Sequence, residues 1–158
     1  YKCICVAKWD KMELFLGTFE HTIDSKNRLT LPSAWRKIFI DDKVIISISI
    51  DNCIEIRTTK SFNDFTNTLA QFGQQQASSR NILRTVFSNS AEVNIDSAGR
   101  VLVPNSLLSL ANINKSVVLL GVGDKIEIWD CCMYTNERRI NDVNNLCKEL
   151  ESLGVNGK

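Results

Sequence analysis

The sequence predicts a mainly β protein with peripheral helices, assembled from two copies of one small unit. Three observations predict it. The block Glu20-His21-Thr22-Ile23-Asp24-Ser25-Lys26-Asn27-Arg28-Leu29-Thr30-Leu31-Pro32 returns seventy-two residues later as Glu92-Val93-Asn94-Ile95-Asp96-Ser97-Ala98-Gly99-Arg100-Val101-Leu102-Val103-Pro104. The same offset carries Ile54-Glu55-Ile56 onto Ile126-Glu127-Ile128 without a gap, and repetition at a fixed spacing marks one supersecondary unit used twice. The copies place apolar and β-branched residues between turn-forming ones, as short strands do. Helical apolar spacing is concentrated between and after the copies. The organisation follows: an N-terminal extension (1–16), a first repeat (17–60), linking helices (61–89), a second repeat (90–133), and a C-terminal helix and tail (134–158).

Residues 1–11 precede Met12, the first methionine that makes sense as a start; they read as an extension, an upstream-translated leader or a cloning remnant, and carry no assigned function. Each repeated block then reads as a strand, a four-residue polar break and a second strand ending at Pro32 or Pro104, where the missing N–H stops ladder pairing. Asp24 and Asp96 are good first turn residues, since a carboxylate accepts from backbone N–H groups two positions on. Asn27 and Gly99 share one slot, and both tolerate positive φ, so the slot calls for left-handed backbone. Arg28 and Arg100 follow immediately, which brings Asp and Arg together at the tip of a hairpin or tight loop.

After Pro32 a short helix is expected over 33–39, with Trp35, Ile38 and Phe39 on its buried side. Val44–Ile50 reads as a strand, Asp51-Asn52 as a turn, and Cys53–Arg57 as the returning strand. The second copy repeats the plan: a helix near Asn105–Leu110, a strand at Ser116–Leu120, a turn at Gly121–Asp124 and a strand at Lys125–Trp129. Between the copies, Phe62, Phe65, Leu69 and Phe72 fall at helical spacing, with Ser61-x-x-Asp64 resembling a helix start. Ile82, Leu83, Val86 and Phe87 give a second stripe, with Arg80 and Arg84 on another face. An aromatic stripe of this kind is core, and both helices are expected to pack on the β body and on neighbouring subunits. After Asp130, Ile140, Val143, Leu146, Cys147 and Leu150 mark one face of an amphipathic helix, and the chain frays from Gly154.

The net charge of +1 argues against wholesale coating of nucleic acid but is compatible with a local basic face. Lys26, Arg28, Arg36 and Lys37 fall within twelve residues, with Asp24 the only acid among them. Such a cluster is either a solvated face or a place where Arg36 or Lys37 meets phosphate. No apolar run reaches the ~20 residues of a membrane helix, and nothing resembles a signal peptide, so a cytoplasmic location is expected. There the six cysteines stay reduced. Cys3-x-Cys5 with Cys131-Cys132 lacks zinc-site spacing and helpful histidines, so no metal is expected. Cys53 and Cys147 read as small core fillers.

Gly17-Thr18-Phe19 leading into the first block, both Asp-x-x-x-Arg loops, and Val118-Leu119-Leu120-Gly121-Val122-Gly123-Asp124-Lys125-Ile126-Glu127-Ile128-Trp129-Asp130 resemble the bacterial MraZ family, among the swapped-hairpin (AbrB-like) transcription factors. The resemblance runs from roughly Met12 to Asp130. It implies a tandem-repeat swapped-hairpin β-barrel, in which hairpins from both copies interleave to bury their apolar faces. It also implies a regulator that binds double-stranded DNA as a homo-oligomeric ring, octameric in the family, at the operator of the division and cell-wall gene cluster. The family's DNA-facing loops match Asp24–Arg28 and Asp96–Arg100, making Ser25, Lys26, Asn27, Arg28, Ser97 and Arg100 the DNA-binding candidates. Many members carry Lys-Gly before the first arginine; this chain has Lys26-Asn27, and its second loop has Ala98-Gly99, so that loop has no lysine and zero net charge.

Read alone, Asp-x-x-x-Arg is a surface ion pair that stabilises a turn by roughly 0–1 kcal/mol. Kept in register in both copies, it reads instead as a carboxylate orienting a guanidinium towards phosphate or a base edge. Asp24 and Asp96 would then hold the arginines, since a carboxylate facing phosphate is repelled. Loops with so little charge bind feebly singly, so assembly on repeated boxes becomes part of the mechanism. A different class is an antitoxin-like protein-interaction module, for which only the helical segment after Cys131 could wrap a partner. An enzyme is not expected. The single histidine, His21, is replaced by Val93 in the second copy, and no nucleophile triad or phosphate-cradling glycine loop is visible. Neither a cofactor nor a small-molecule substrate is implied.

Overall fold

The computed structural model describes residues 13–73, 77–138 and 143–154. Among them the chain forms β1 (Phe15–Thr22), β2 (Arg28–Thr30), α1 (Ser33–Arg36), β3 (Lys43–Ile48), β4 (Ile54–Arg57), α2 (Thr59–Gly73), α3 (Ala77–Ser88), β5 (Ser90–Asn94), β6 (Arg100–Leu102), α4 (Asn105–Leu110), β7 (Ser116–Gly123), β8 (Lys125–Asp130), α5 (Cys131–Arg138) and α6 (Val143–Ser152). The fold is mainly β with peripheral helices, as the sequence predicts. A six-stranded antiparallel sheet runs in the order β1-β7-β8-β4-β3-β5, and a two-stranded ribbon pairs β2 with β6.

The two copies exchange strands. The hairpin β3–β4 belongs to the first copy and β7–β8 to the second, but β1 pairs with β7 and β5 with β3. The strand–break–strand block is thus no simple hairpin: its first strand joins the other copy's hairpin and its second joins the other copy's ribbon strand. Both arrangements turn apolar alternation inward. Leu29, Val101, Val44, Ile46, Ile54, Ile56, Val117, Leu119, Ile126 and Ile128 are fully buried in one core, each worth about 1.5–3 kcal/mol relative to exposure. Neither copy could bury this set alone.

The gapless offset needs one correction. Thr22 lies opposite Ser116, and its counterpart Asn94 lies opposite Lys43; Lys43 and Ser116 are therefore equivalent at a spacing of seventy-three. The Ile23 N–H donates to the Lys115 carbonyl (2.9 Å) and the Ile95 N–H to the Asp42 carbonyl (2.7 Å), with the same spacing. One extra residue before β7 is compensated by a longer turn between β3 and β4, which restores the offset at Ile54 and Ile126. Loop length absorbs the difference because a one-residue slip in a strand would turn its apolar side chains to the other face.

Other departures have local causes. The helix after Pro32 stops at Arg36, although Trp35 and Phe39 are buried and Ile38 is half-buried as expected. Residues 121–123 continue β7 instead of turning, because Phe15–Gly17 pairs with them; a Cβ on Gly121 would overlap the Phe15 and Leu16 backbone. Helix α2 begins at Thr59, with the Thr58 hydroxyl accepting from the Ser61 N–H (3.1 Å). Ser61 is therefore not the cap; its own hydroxyl donates to the Asp124 carbonyl (2.9 Å). Of the α2 stripe, Phe62 is buried and Phe65 and Leu69 half-buried; the Phe72 side chain lies outside the described residues. On α3 only Val86 is buried and Leu83 half-buried, while Ile82 and Phe87 are exposed. On α6 Leu146 and Leu150 are exposed, and Ile140 and the side chains of Val143 and Cys147 lie outside the described residues.

The line relating the copies crosses the sheet between β4 and β8, where Glu55 faces Glu127 and Arg57 faces Lys125. Where that line passes through a pair the two residues are equivalents of the same charge, as Glu55 and Glu127 are, and like charges so placed repel. Cations offset this. Arg57 binds Glu55 (3.1 Å) and Asp124 (2.6 Å), and Lys125 binds Glu55 (2.5 Å) and Glu127 (3.4 Å). The Arg57 guanidinium also lies 4.5 Å from the Phe65 ring centroid. Burial pushes the Lys125 amine down, but hydrogen bonding and attraction from Glu55, with Glu127 behind it, raise it overall.

Candidate nucleic-acid interface

Both Asp-x-x-x-Arg loops fold to one design. In the first, Asp24 Oδ1 accepts from the N–H groups of Lys26 (2.9 Å) and Arg28 (2.8 Å), and Oδ2 accepts from Arg28 Nε (2.7 Å). In the second, Asp96 Oδ1 accepts from Ala98 and Arg100 N–H (2.9 Å each), and Oδ2 from Arg100 Nε (2.8 Å). The slot before each arginine is left-handed, with φ of 59° at Asn27 and 79° at Gly99. The Arg28 N–H bond holds the Asp24 carboxyl below its ordinary value, with the Arg28 side chain adding to it; Arg100 does the same for Asp96. Each carboxylate therefore organises the turn and fixes its arginine by Nε alone, leaving the terminal N–H groups for another partner.

The ribbon sets where the arginines point. Leu29 and Val101 face each other at its centre and are fully buried. Alternation then places Arg28, Thr30, Arg100 and Leu102 on the opposite, outward face. Arg28 lies opposite Leu102 and Arg100 opposite Thr30, so the two arginines are diagonal neighbours, about 7–8 Å apart by strand geometry. Their side chains remain 31% and 34% exposed. The two arginines therefore share one face of the ribbon, each paired to the aspartate of its own loop. Ser25, Lys26 and Ser97 are exposed on the loops, and Asn27 is half-buried.

Thr30 and Leu102, the latter 55% exposed, were not among the sequence candidates. Their place becomes visible only once the cross-copy register is known. Beside the first loop, Asn27, Asn105, Ser109, Asn112 and Asn114 line a shallow open concavity of about 380 Å³. Among the described residues no group of three or more His, Cys, Asp or Glu side chains is placed to hold a metal ion; Cys3 and Cys5 lie outside them. Cys53 is buried, and burial, with the charge of Glu127, pushes its thiol up to about 12. No helix among the described residues is long and apolar enough to cross a membrane.

Comparison with known proteins places this architecture. The family model for the MraZ protein, whose description adds "antitoxin-like", matches residues 14–85 and 86–136, one span for each copy. A protein of Mycoplasmoides gallisepticum named transcriptional regulator MraZ is 38% identical over 140 residues, covering 87% of this chain and 98% of the relative. Namesakes from Mesoplasma florum and Spiroplasma kunkelii are 40% and 43% identical, over 87% and 73% of this chain and 92% and 80% of their own. With both copies matched and three relatives aligned over most of their length, the chain belongs to the MraZ family.

Proposed function

We propose that this protein is a sequence-specific DNA-binding transcription regulator without catalytic activity. The observation that carries the reading is the shared outward face of Arg28 and Arg100 on the β2–β6 ribbon, because a major groove admits a two-stranded β-ribbon. Names of the relatives support the regulatory role. Arg28 and Arg100 contact guanine edges or phosphates, and Lys26 adds phosphate attraction. Ser25, Asn27 and Ser97 provide polar loop contacts, while Asp24 and Asp96 orient the arginines. Binding is to repeated operator boxes of the division and cell-wall gene cluster that includes its own gene. It acts there as a homo-oligomeric ring, an octamer, in the cytoplasm and on the nucleoid. Few charges per subunit make that assembly necessary for useful affinity.

The test is the Arg28→Ala/Arg100→Ala double variant in a gel shift, with light scattering as a control for assembly. Loss of operator binding with mass and fold unchanged is expected. Unchanged DNA affinity would remove the proposed readout. A second reading, an antitoxin-like interaction module, is favoured by the exposed Leu146 and Leu150 on α6 and by the family description. A stoichiometric partner that co-purifies with the full chain and is lost on trimming residues 131–158 would support it.

A further inference from the structure

The outward face of the ribbon also carries apolar surface. Register sets Arg28 beside Leu102 and Thr30 beside Arg100, so the arginines lie on one diagonal of the face and Thr30 and Leu102 on the other. Leu102 is 55% exposed, while its chain neighbours Val101 and Val103 are buried in the core. A leucine left in water between two arginines adds nothing to that core. Its place is fixed nonetheless. Leu31 N–H donates to the Gly99 carbonyl (2.9 Å), and its counterpart Val103 N–H donates to the Asn27 carbonyl (2.8 Å), so each ribbon strand is tied at its end to the other copy's turn. The turns are backed as well: Arg36 lies over Gly99, and its counterpart Leu108 lines the same concavity as Asn27.

Asp24 and Asp96 hold the arginines by Nε, so two long side chains with terminal N–H groups to offer flank a shorter one with no polar group. A major groove holds a complement to that combination. Guanine presents O6 and N7 to a guanidinium, and thymine presents its C5-methyl, the apolar group among the base edges there. Directly opposite residues of the ribbon have Cβ atoms about 5 Å apart, between one and two base steps of about 3.4 Å. Arg28 on a guanine therefore sets Leu102 over the edge of the next base or the one after it.

We propose that Leu102 is a specificity-determining residue that packs on the methyl group of a thymine beside the guanine taken by Arg28. This rests on the DNA-binding reading and adds to it an apolar readout from a residue outside both loops. The counterpart of Leu102 is Thr30, whose hydroxyl both donates and accepts and so selects less sharply; the leucine contact is made by one strand of the ribbon only. Packing leucine on methyl removes apolar surface of both partners from water. It neutralises no phosphate, so it contributes selectivity without salt dependence.

The probe is a duplex selected from a random-sequence pool by the unaltered full-length protein, with each thymine of the enriched box replaced in turn by deoxyuridine, which lacks only the methyl. One such replacement should weaken binding about fourfold, the worth of one buried methyl-sized group. Leu102→Ala should lose at least as much on the thymine duplex, be indifferent to that replacement, and leave the slope of log affinity against log salt unchanged. Its thermal unfolding should match that of the unaltered protein, because Leu102 is exposed. A leucine that only supports the stem of Arg28 would, when truncated, weaken both duplexes equally. An enriched box without thymine, or a methyl penalty that is absent or survives in Leu102→Ala, while Arg28→Ala/Arg100→Ala abolishes binding, would overturn the role of Leu102 and leave the DNA reading standing. Failure of the unaltered protein to enrich any duplex would overturn both.

Discussion

Lys125 holds two repeat-equivalent carboxylates together at the line between the copies, and its removal gives a stability change that can be worked from the geometry. Directly opposite residues of an antiparallel pair have Cβ atoms about 5 Å apart. Two unit charges at about that distance, in surroundings of effective dielectric about 20, repel by about 3 kcal/mol. The side chains of Glu55, Glu127 and Lys125 are 5%, 14% and 20% exposed, so solvent screens little of this. Lys125→Met removes the amine that bridges them while keeping its length, and should cost about 3 kcal/mol, in the range found when one partner of a buried pair is removed. For a chain of this size that lowers the melting temperature by about 6–12 °C. Adding Glu127→Gln removes the repulsion yet retains an acceptor for Trp129 Nε1, which donates to Glu127 at 3.0 Å. The double variant should therefore regain about 2 kcal/mol over Lys125→Met alone. Urea denaturation of the four members of the cycle measures the coupling. The Lys125 amine titrates above its usual value, so its contribution is complete below pH 10.5 and fades only as pH rises through the raised value. Measurements at pH 7 report the intact cluster. Equal stability of Lys125→Met and the double variant would refute the reasoning.

Asn27→Gly should leave stability unchanged or raise it slightly, whereas Asn27→Ala should cost about 1–2 kcal/mol, because alanine resists the φ of 59° observed there; thermal unfolding reads both. The carboxyls of Asp24 and Asp96 are lowered in the fold, so what they contribute to the loops is present above the ordinary 3.8 and disappears as pH falls through the lowered values. Carbon-13 carboxyl titration should give both midpoints below 3.8, and Arg28→Ala and Arg100→Ala should each move the midpoint of their own loop upward. In a variant whose only cysteine is Cys53, alkylation at pH 8 should be negligible in the native state and become rapid in denaturant, as a buried thiol pushed up to about 12 requires. Rapid native alkylation would place Cys53 outside the core.

How far the sequence could be read follows the range of the interaction. The Asp24 and Asp96 turns were legible because their partners lie within four residues, and carboxylate, left-handed slot and arginine each have a local signature. The helix Asn105–Leu110 and the strand edges near Lys43 and Ile54 were legible for the same reason. What pairs with what was not. Nothing in Arg28-Leu29-Thr30 states that its partner is Arg100-Val101-Leu102, so the common face of the arginines, and the places of Thr30 and Leu102 on it, emerged only from the ladder. The run of Gly121-Val122-Gly123 suggested a turn because the signal for strand lay in Phe15–Gly17, over a hundred residues earlier. The one-residue slip between Lys43 and Ser116 was hidden by compensating loop lengths.

Joining two copies in one chain also frees them from equality. A dimer of identical single units would place the same residue behind both loops and the same charge in both. Here the covalent link lets position 36 be arginine while its counterpart at 108 is leucine, and lets Lys26 face Ala98 across the relation between the copies. The buried half of the ribbon cannot use this freedom so widely, because Leu29 and Val101 touch each other and the same core. On the outward side Thr30 is matched by Leu102 and Lys26 by Ala98. An asymmetric cationic face can distinguish the two directions along a duplex, which a symmetric one cannot. In the proposed DNA complex, this asymmetry would give each subunit a polarity, and neighbouring subunits of a ring could engage boxes repeated in the same direction.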